Sequence, residues 1–405
     1  MRFAYVVSFV AAIAAPLLVG CSGSSGKDAP YTSDGGNPTG DSGTQGGGDS
    51  STQPPPADGS APPGDSGSGA DETGTPTPGS DTGPVASSSG IVITVIPDGT
   101  GDAAGLLSAM QGAKTAVHME MYLLTNATYI NALTTLAKSG IDVKVILNQT
   151  FPSGTSSSDT NASSYTQLQQ GGVNVSWAPT TTGFDSYTHE KTVIIDPGSA
   201  NAQAWIMTMN LDTDAPKYNR EYLAQDTNAA DITEAESIFE ADYASTSITP
   251  SGSLIVAPSP QNNAQPAILA LIQSATTSID VESEEYDSSG LETAIASALV
   301  AKAQSGVTVH MVLETSTESS QSTAVSALQA AGGKVVGYTY SGSSGLDIHA
   351  KAIVVDGATA YVGSENLSGG SLGYNRELGV IFSEPSEVAK VASTIGMDFS
   401  GGTTY

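Results

Sequence analysis

Apolar positions follow the same order in two separate parts of the chain, residues 102–149 and 262–314. Each part begins with an apolar stripe of helical period and continues with a short strand (Ala116–Met121 and Ser278–Ser283), after which a second helical stripe follows. A Ser-Gly pair ends that stripe, where glycine commonly closes a helix. The β-branched runs IDVKVIL and VTVHMVL come next and are typical of buried parallel strands. Both parts therefore predict helix, strand, helix and strand.

The correspondence continues to the end of each part. A Gly-Gly pair precedes another apolar strand, and YTHEKTVIID (187–196) then matches DIHAKAIVVD (347–356). AWIMTMN matches AYVGSEN, and YNREY matches YNREL. Strands that alternate with helices indicate α/β layers with a largely parallel sheet. Two such copies predict a pseudo-two-fold pair of repeats, at 91–250 and 251–405.

The first ninety residues lack this pattern. Residues 1–21 place Arg2 before an apolar stretch and end in Leu-Val-Gly-Cys, which resembles a bacterial lipoprotein signal peptide with Cys21 as the lipidated residue. An ordinary signal peptide is the alternative. Residues 22–90 are mainly Gly, Ser, Thr, Pro and Asp, so we expect a disordered tether. The folded part would then be anchored in the bacterial cell envelope, at the outer membrane or cell surface, or be secreted.

The charge balance limits the partners. The chain has 13 Lys and Arg against 41 Asp and Glu, a formal net charge of −28. Arg2, Lys27 and nine acidic residues lie in the first ninety positions, which leaves 11 basic and 32 acidic residues. A surface this acidic repels polyanions and argues against nonspecific binding of nucleic acid. Four of the 11 basic residues nevertheless lie in the repeated motifs, which indicates an anion site: Lys191, Lys351, Arg220 and Arg376.

A histidine and a lysine stand two positions apart in each repeated strand. Successive side chains of a strand point to opposite faces, so His349 and Lys351 point the same way, about 7 Å apart along the strand. Burying a lysine without a partner is costly. One such pair would be read as a solvated strand face. Its repetition as His189 and Lys191 instead predicts one site formed by both copies.

These residues resemble the signature of the phospholipase D superfamily, H-x-K-x4-D followed by G-S-x-N. The second copy matches throughout: His349, Lys351, Asp356, Gly363, Ser364 and Asn366. The first copy matches through Asp196, then has four additional residues around PGSANAQ and Met207-Thr208 in place of Gly-Ser, while Asn210 is retained. The resemblance covers residues 91–405. It implies two α/β/α repeats with mixed, largely parallel sheets flanked by helices, packed as a single-chain pseudo-dimer in a monomer that needs neither metal nor cofactor.

The resemblance also implies roles for these residues. One histidine attacks phosphorus to form a phosphohistidine, while the other protonates the leaving alcohol and later activates water. Analogy with two-copy members favours His189 as nucleophile and His349 as acid and base, although the residues alone leave this open. Glu221 and Glu377 are the candidates that orient the histidines. The lysines neutralise phosphoryl charge, and the expected phosphate-binding donors beside them are Asn210, Asn366, Ser364 and Thr208.

The motif aspartates and arginines are less clearly functional. Asp196 and Asp356 stand at strand ends before Pro-Gly and Gly-Ala, where aspartate favours a turn, so we interpret them as structural. Arg220 and Arg376 either pair with these aspartates or reach the substrate.

No metal site is expected. The chain has no H-x-x-E-H motif and no cysteine cluster. His118 and His310 lie in predicted strands, and we interpret them as core or rim histidines.

Three functions fit these observations. The first is a membrane-tethered phospholipase D-type enzyme that hydrolyses or exchanges phospholipid headgroups, with zwitterionic lipids or soluble diesters as substrates. The second is an extracellular endonuclease of the same superfamily, which the acidic balance and the absence of a basic stripe disfavour. The third is a catalytically inactive surface module that binds phosphate-containing ligands. Retention of both histidine–lysine pairs disfavours this last function.

Overall fold

The computed structural model describes residues 88–151, 155–179, 187–259, 261–288, 293–315, 318–340 and 345–405. The expected signal peptide with Cys21, and residues 22–87 of the expected tether, lie outside the described residues. Where the description begins, Ser88 N donates to the carbonyl of Ile381 at 2.7 Å, and Gly90 N donates to Glu384 Oε1 at 2.6 Å. The last residues of the expected tether are therefore bound to the second repeat.

The first repeat forms a mixed sheet with the order β1-β7-β6-β5-β2-β3-β4. Its elements are β1 (Ile91–Ile96), α1 (Ala104–Gln111), β2 (Ala116–Met121), α2 (Ala127–Lys138), β3 (Asp142–Leu147), a 3₁₀ turn (Ser157–Asp159), α3 (Ala162–Gln170), β4 (Asn174–Trp177), β5 (Lys191–Ile195), β6 (Gln203–Met207), α4 (Ala215–Tyr218), β7 (Asn219–Asp226) and α5 (Ala229–Tyr243).

The second repeat forms a sheet with the order β16-β11-β10-β9-β13-β14-β15-β8. Its elements are β8 (Ile255–Ala257), α6 (Ala264–Ser274), β9 (Ser278–Ser283), α7 (Thr293–Gln304), β10 (Thr308–Glu314), α8 (Glu318–Ala330), β11 (Lys334–Tyr338), β12 (Asp347–Ile348), β13 (Lys351–Val355), β14 (Thr359–Gly363), α9 (Gly369–Tyr374), β15 (Glu377–Phe382), α10 (Pro385–Gly401) and β16 (Thr403–Thr404). Strand β12 pairs across the repeats with β7.

Two mixed sheets flanked by helices confirm the expected pair of α/β repeats, but the expectation that the sheets are largely parallel is wrong, because most neighbouring strands in each sheet are antiparallel. In the first sheet β2, β3 and β4 are parallel, and in the second β9, β10 and β11 are parallel. The strands from β5 to β7 and from β13 to β15 run antiparallel to their neighbours. Apart from the β12–β7 pair between the repeats, parallel pairing is limited to strands that are connected through helices, because such crossovers return the chain to the same end of the sheet.

Local signals placed several elements at the positions that the apolar pattern predicted. Strands β2 and β9 have the predicted bounds, Ala116–Met121 and Ser278–Ser283. Gly140 and Gly306 follow α2 and α7 with φ of +87° and +93°. This left-handed backbone suits glycine, which lacks the Cβ that would be strained there. After the first strands, β1 and β8, the two repeats therefore share the same helix–strand–helix–strand unit.

Three groups of buried apolar side chains form the core. One belongs to the first repeat and one to the second, while the third combines residues of both repeats. The shared group includes Ile232 and Phe239 of α5, Val388 and Ile395 of α10, and strand residues of both sheets. The halves are therefore joined by a continuous apolar interface. Within the described ranges, none of the helices combines the length and apolar character that crossing a bilayer requires.

Candidate active site

Each histidine–lysine strand occupies the same place in its own sheet. Lys191 opens β5 and pairs in register with Met121 of β2, and Lys351 opens β13 and pairs with Ser283 of β9. The residues just before these lysines cross to the other repeat. His189 N donates to the carbonyl of Arg376 at 2.8 Å, and Ile348 pairs with Arg220. Backbone pairing thus brings each histidine to the Asn-Arg-Glu segment of the opposite repeat.

The histidines and glutamates contact each other across the repeats. His189 Nδ1 lies 3.0 Å from both carboxylate oxygens of Glu377, and His349 Nδ1 lies 2.7 Å from Glu221 Oε1. Both glutamates are fully buried. A carboxylate at Nδ1 holds the proton there and leaves Nε2 to react. The structure therefore brings together four predicted site residues, and neither repeat contains a complete histidine–glutamate pair of its own.

Hydroxyl and amide groups hold the two glutamates. Ser371 Oγ donates to Glu377 Oε1 at 2.6 Å, and Thr208 Oγ1 donates to Glu221 Oε2. Burial alone would raise the pKa of Glu377, but attraction to His189 and Lys191, together with donated hydrogen bonds, lowers it below its ordinary value. Glu377 is therefore ionised at neutral pH and accepts the Nδ1 proton of His189.

The two lysines are buried beside the histidines. Lys191 and Lys351 are each 1% exposed, and each Nζ donates at 2.7 Å to the carbonyl of the histidine two residues before it. Burial lowers the pKa of His189, and the charges of Lys191 and Lys351 lower it further against the opposing attraction of Glu377. The His189 imidazole is thus neutral at neutral pH, which the nucleophilic role expected from the sequence requires.

The surroundings of the two lysines differ. Lys191 Nζ lies 5.1 Å from the ring centre of Tyr122, and the same ring contacts His189 edge-on at 4.8 Å. In the second repeat Lys351 Nζ lies 2.7 Å from Glu284 Oε2. Glu284 also accepts a hydrogen bond of 3.2 Å from Asn366 Nδ2. The site therefore has an aromatic wall in one repeat and a carboxylate in the other.

Of the four expected phosphate-binding donors, two have hydroxyls that contact the glutamate strands. Ser364 Oγ accepts from Leu378 N at 3.0 Å, and Thr208 Oγ1 accepts from Tyr222 N at 2.9 Å. Leu378 and Tyr222 directly follow the two glutamates. Asn210 and Asn366 are also buried, at 2% and 5% exposure. The hydroxyls are therefore positioned to support the glutamates.

Packing explains why the first motif copy has Met207 where the second copy has Gly363. In the second repeat a Cβ on Gly363 would lie 2.4 Å from Glu365 Oε2 and 2.6 Å from Gly379 Cα, so only glycine fits. In the first repeat Met207 pairs with Leu223 where Gly363 pairs with Gly379. Two apolar side chains thus fill the volume that a buried tyrosine–glutamate contact occupies in the other repeat.

The motif aspartates hold a turn in each repeat. Asp196 Oδ1 accepts hydrogen bonds from the backbone of Lys114, Thr115 and Ala116, at 2.7–3.0 Å. Asp356 accepts equivalent bonds from residues 276–278. Burial opposes the effect, yet these donors lower the pKa of both carboxyls. Each aspartate therefore ties the end of its strand to the loop that precedes β2 or β9.

The motif arginines link the two repeats instead of pairing with these aspartates. Arg220 Nε lies 2.5 Å from Asp398 Oδ2 on α10, and Arg376 Nε lies 2.8 Å from Asp242 Oδ2 on α5. Both contacts cross from one repeat to the final helix of the other. Because a guanidinium fork fixes orientation as well as distance, these pairs stabilise the alignment on which the crossed histidine–glutamate contacts depend.

Sequence reasoning missed Tyr122, Glu284 and Ser371. Tyr122 and Glu284 follow the aligned positions Met121 and Ser283, so aligning the repeats places them at equivalent sites. The repeats differ in residue type at this position, so identity between them gives no signal there. Ser371 has no signal in the motif, because the short helix α9 brings its hydroxyl to Glu377.

Two groups of described residues could hold a metal ion: His118, Glu236 and Glu240, and Glu120, Glu190 and Asp242. In the second group Arg376 already supplies positive charge to Asp242. His118 Nδ1 lies 2.8 Å from Glu236 Oε1, and His310 Nδ1 lies 3.3 Å from Asp280 Oδ1. Both histidines therefore contact carboxylates of their own repeats.

The family follows from comparison with known proteins. Residues 106–243 and 268–398 each match the family described as cardiolipin synthase, PLD-like domain. The chain belongs to this family. The match confirms the superfamily and the duplication expected from the sequence, while the lipoprotein features stay a prediction. A comparison with curated protein sequences found no significant match.

Two solved structures with TM-scores above 0.5 support the same fold. Phosphatidylserine synthase from Haemophilus influenzae Rd KW20 is similar with a TM-score of 0.59 and 10% identity, over 78% of this chain and 86% of that one. Polyphosphate kinase from Porphyromonas gingivalis has a TM-score of 0.58 and 14% identity, over 76% of this chain but only 47% of the kinase. Nuc from Salmonella typhimurium, a phospholipase D family member, also matches at 24% identity and a TM-score of 0.34. That match covers 38% of this chain and 97% of Nuc.

Proposed function

We propose that the chain is a phospholipase D-type phosphodiesterase that hydrolyses phospholipid headgroups, or transfers them to another alcohol, through a covalent phosphohistidine. The crossed histidine–glutamate contacts carry this proposal, since each places a carboxylate beside the Nδ1 atom of an imidazole that lies next to a buried lysine. Catalysis of phosphoryl transfer depends mainly on positioning and on charge stabilisation, and both are supplied by the chain's own residues.

In the first step His189 Nε2 attacks phosphorus while the bond from phosphorus to the leaving oxygen breaks. Glu377 accepts the Nδ1 proton of His189, so the Nε2 lone pair is available. His349 gives its Nε2 proton to the leaving oxygen, and an alcohol departs. Two carboxylates lie beside the His349 ring, Glu221 at 2.7 Å and Glu284 at 3.6 Å, which suits a group that must carry a proton.

In the second step His349, now neutral, takes a proton from an entering hydroxyl as its oxygen attacks phosphorus. The bond between phosphorus and His189 Nε2 breaks, and the free imidazole is restored. Water as the entering group gives hydrolysis, and an alcohol gives headgroup exchange. Lys191 and Lys351 stabilise the charge on the non-bridging oxygens in both steps.

The charge of the chain supports a lipid or small diester over a nucleic acid. The 32 acidic and 11 basic residues outside the first ninety positions repel a polyanion, whereas a zwitterionic headgroup has no net charge to repel. An endonuclease and an inactive phosphate-binding module are the other outcomes to be tested. We further propose that lipidated Cys21 holds the enzyme at a membrane that contains its substrate. Palmitate labelling of cells tests the anchor. The parent chain should be labelled, and Cys21→Ser should not.

The test of reaction and substrate uses purified chain with phosphatidylcholine vesicles and plasmid DNA in parallel, each with and without EDTA. Choline release without plasmid nicking, insensitive to EDTA, is the expected result. Plasmid nicking without choline release would select the endonuclease, and no turnover of either substrate or of bis-p-nitrophenyl phosphate would select the binding module.

The roles of the histidines are tested with bis-p-nitrophenyl phosphate, whose leaving group needs no proton. His349→Ala should release about one equivalent of nitrophenol in a burst and accumulate phosphorylated His189, detectable by mass spectrometry. His189→Ala should show no burst. The control is His310→Ala, which should keep parental activity, because His310 contacts Asp280 in the second repeat and lies outside the histidine–lysine pairs. Full turnover by His349→Ala would contradict the two-histidine mechanism.

A further inference from the structure

One side chain of the site has no counterpart in the other repeat. The backbone N–H groups of Tyr122 and Glu284 make the same hydrogen bond, to the carbonyls of Glu190 and Ala350, both at 3.0 Å. The positions are therefore equivalent, and only the side chains differ. Tyr122 offers an aromatic face to Lys191, whereas Glu284 places a carboxylate against Lys351.

A single oxygen of Glu284 meets the donors that a phosphoryl oxygen would use. Its Oε2 lies 2.7 Å from Lys351 Nζ, 3.2 Å from Asn366 Nδ2 and 3.6 Å from His349 Nε2. A lysine, an asparagine and a reactive histidine nitrogen thus surround a carboxylate oxygen. The Glu284 side chain is 14% exposed, so it is not fully enclosed beside the reactive nitrogen of His349.

Glu284 is ionised at neutral pH. Burial would raise its pKa, but Lys351 and His349 lower it strongly. The neighbouring carboxyls behave differently, because burial raises the pKa of Glu285 to about 7 and that of Asp347 to about 8. At neutral pH the charge of Lys351 is therefore already balanced from within the protein.

We propose that Glu284 is a specificity-determining residue that restricts the site to phosphodiesters with one negative charge and disfavours phosphomonoesters. The inference rests on the proposed function of the site. A phosphodiester carries one charge, whereas a monoester has a second pKa of about 6 and carries nearly two at neutral pH. The second charge of a monoester would face the Glu284 carboxylate. Hydrolysis of a phospholipid headgroup leaves a lipid phosphomonoester, so the same repulsion promotes product release.

Binding is the direct test, because it does not depend on turnover. Calorimetry at pH 7 compares dimethyl phosphate, a diester, with methyl phosphate, a monoester, on the parent chain and on Glu284→Gln. We expect the parent to bind the diester more tightly, and the variant to bind methyl phosphate at least about tenfold more tightly than the parent. The affinity for dimethyl phosphate should change less than about threefold. A lysine–glutamate pair of the same 2.7 Å length, Lys390 with Glu387, supplies the control variant Glu387→Gln.

The outcomes separate this inference from the proposed function. Equal gains for both ligands in Glu284→Gln, or tighter binding of methyl phosphate by the parent, would overturn the role of Glu284 even in an active enzyme. A monoester-specific gain in a protein that hydrolyses no diester would instead support Glu284 and overturn the proposed reaction. If Glu284→Gln does not fold, Glu284→Tyr removes the same negative charge and introduces the residue found at the equivalent position, Tyr122. Inhibition of diester hydrolysis by methyl phosphate should rise in parallel.

Discussion

His189 of the first repeat and Glu377 of the second form a contact in which Nδ1 lies 3.0 Å from both carboxylate oxygens. The converse contact joins His349 to Glu221 at 2.7 Å. The two imidazoles are thus contacted by residues about 130–190 positions away in sequence, on the opposite side of the repeat interface. Activity should therefore depend on how the repeats are aligned as much as on the motifs themselves.

Glu377→Gln should lower kcat by about 10²- to 10⁴-fold with little change in KM, because the amide no longer fixes the Nδ1 proton of His189. Steady-state kinetics with bis-p-nitrophenyl phosphate measures both constants, and circular dichroism checks folding. The matched control is Glu234→Gln. The Glu234 carboxylate accepts backbone hydrogen bonds from the loop at residues 251–254. A loss in kcat below about threefold would mean that Glu377 does not orient the nucleophile.

The acidic limb of the pH profile should lie below pH 6.5. His189 must be neutral to attack, and burial together with Lys191 and Lys351 lowers its pKa, so attack remains possible at a pH where a free histidine is protonated. Lys191→Met removes one of these charges and should move the limb to higher pH. Measurement of kcat/KM from pH 4.5 to 8 and NMR titration of the His189 ring check both statements. An acidic limb above pH 7 in the parent would contradict them.

Glu190→Gln should remove part of the pH dependence of stability. Burial raises the pKa of Glu190 to about 8, with Asp242 adding to the rise. The folded protein then keeps a proton that the unfolded chain loses above pH 4.5, so the free energy of unfolding falls between about pH 5 and 8. The variant should be more stable than the parent at pH 8.5, on the order of 1–3 kcal/mol, and similar to it at pH 5.

Urea denaturation at the two pH values measures this difference. Glu387→Gln is the control, because hydrogen bonds and Lys390 lower the pKa of Glu387 against the effect of burial. Its contribution is already complete at pH 5 and should not change up to pH 8.5. An identical pH dependence for the parent and Glu190→Gln would show that Glu190 is ionised in the folded protein.

Restoring the motif in the first repeat should destabilise the chain. Met207→Gly leaves a cavity beside Leu223 and should cost about 2–5 kcal/mol. The reciprocal change Gly363→Ala places a Cβ against Glu365 and Gly379 and should cost about 1–3 kcal/mol. Urea denaturation measures both. Thr208→Ser changes the motif next to Met207 without removing the hydroxyl and should have the smallest effect. A gain in stability for Met207→Gly would refute the packing explanation.

Repetition made most of the fold and half of the site predictable. Strands β2 and β9 and the glycines after α2 and α7 follow from local patterns, because each pattern depends on neighbours within a few residues. The histidine–lysine pairs were identified because they recur. Glu284 was missed for the opposite reason, since it stands where the repeats differ.

The sequence by itself determined the two repeats, their order of helices and strands, and the residues proposed to carry the chemistry, because these depend on local periodicity and on identity between the copies. The tertiary structure alone decided which glutamate serves which histidine, that Arg220 and Arg376 bind the final helix of the opposite repeat, and that Lys351 has a carboxylate partner. These contacts join residues far apart in the chain, and only the packing of the two sheets across their shared apolar core brings them within hydrogen-bonding distance.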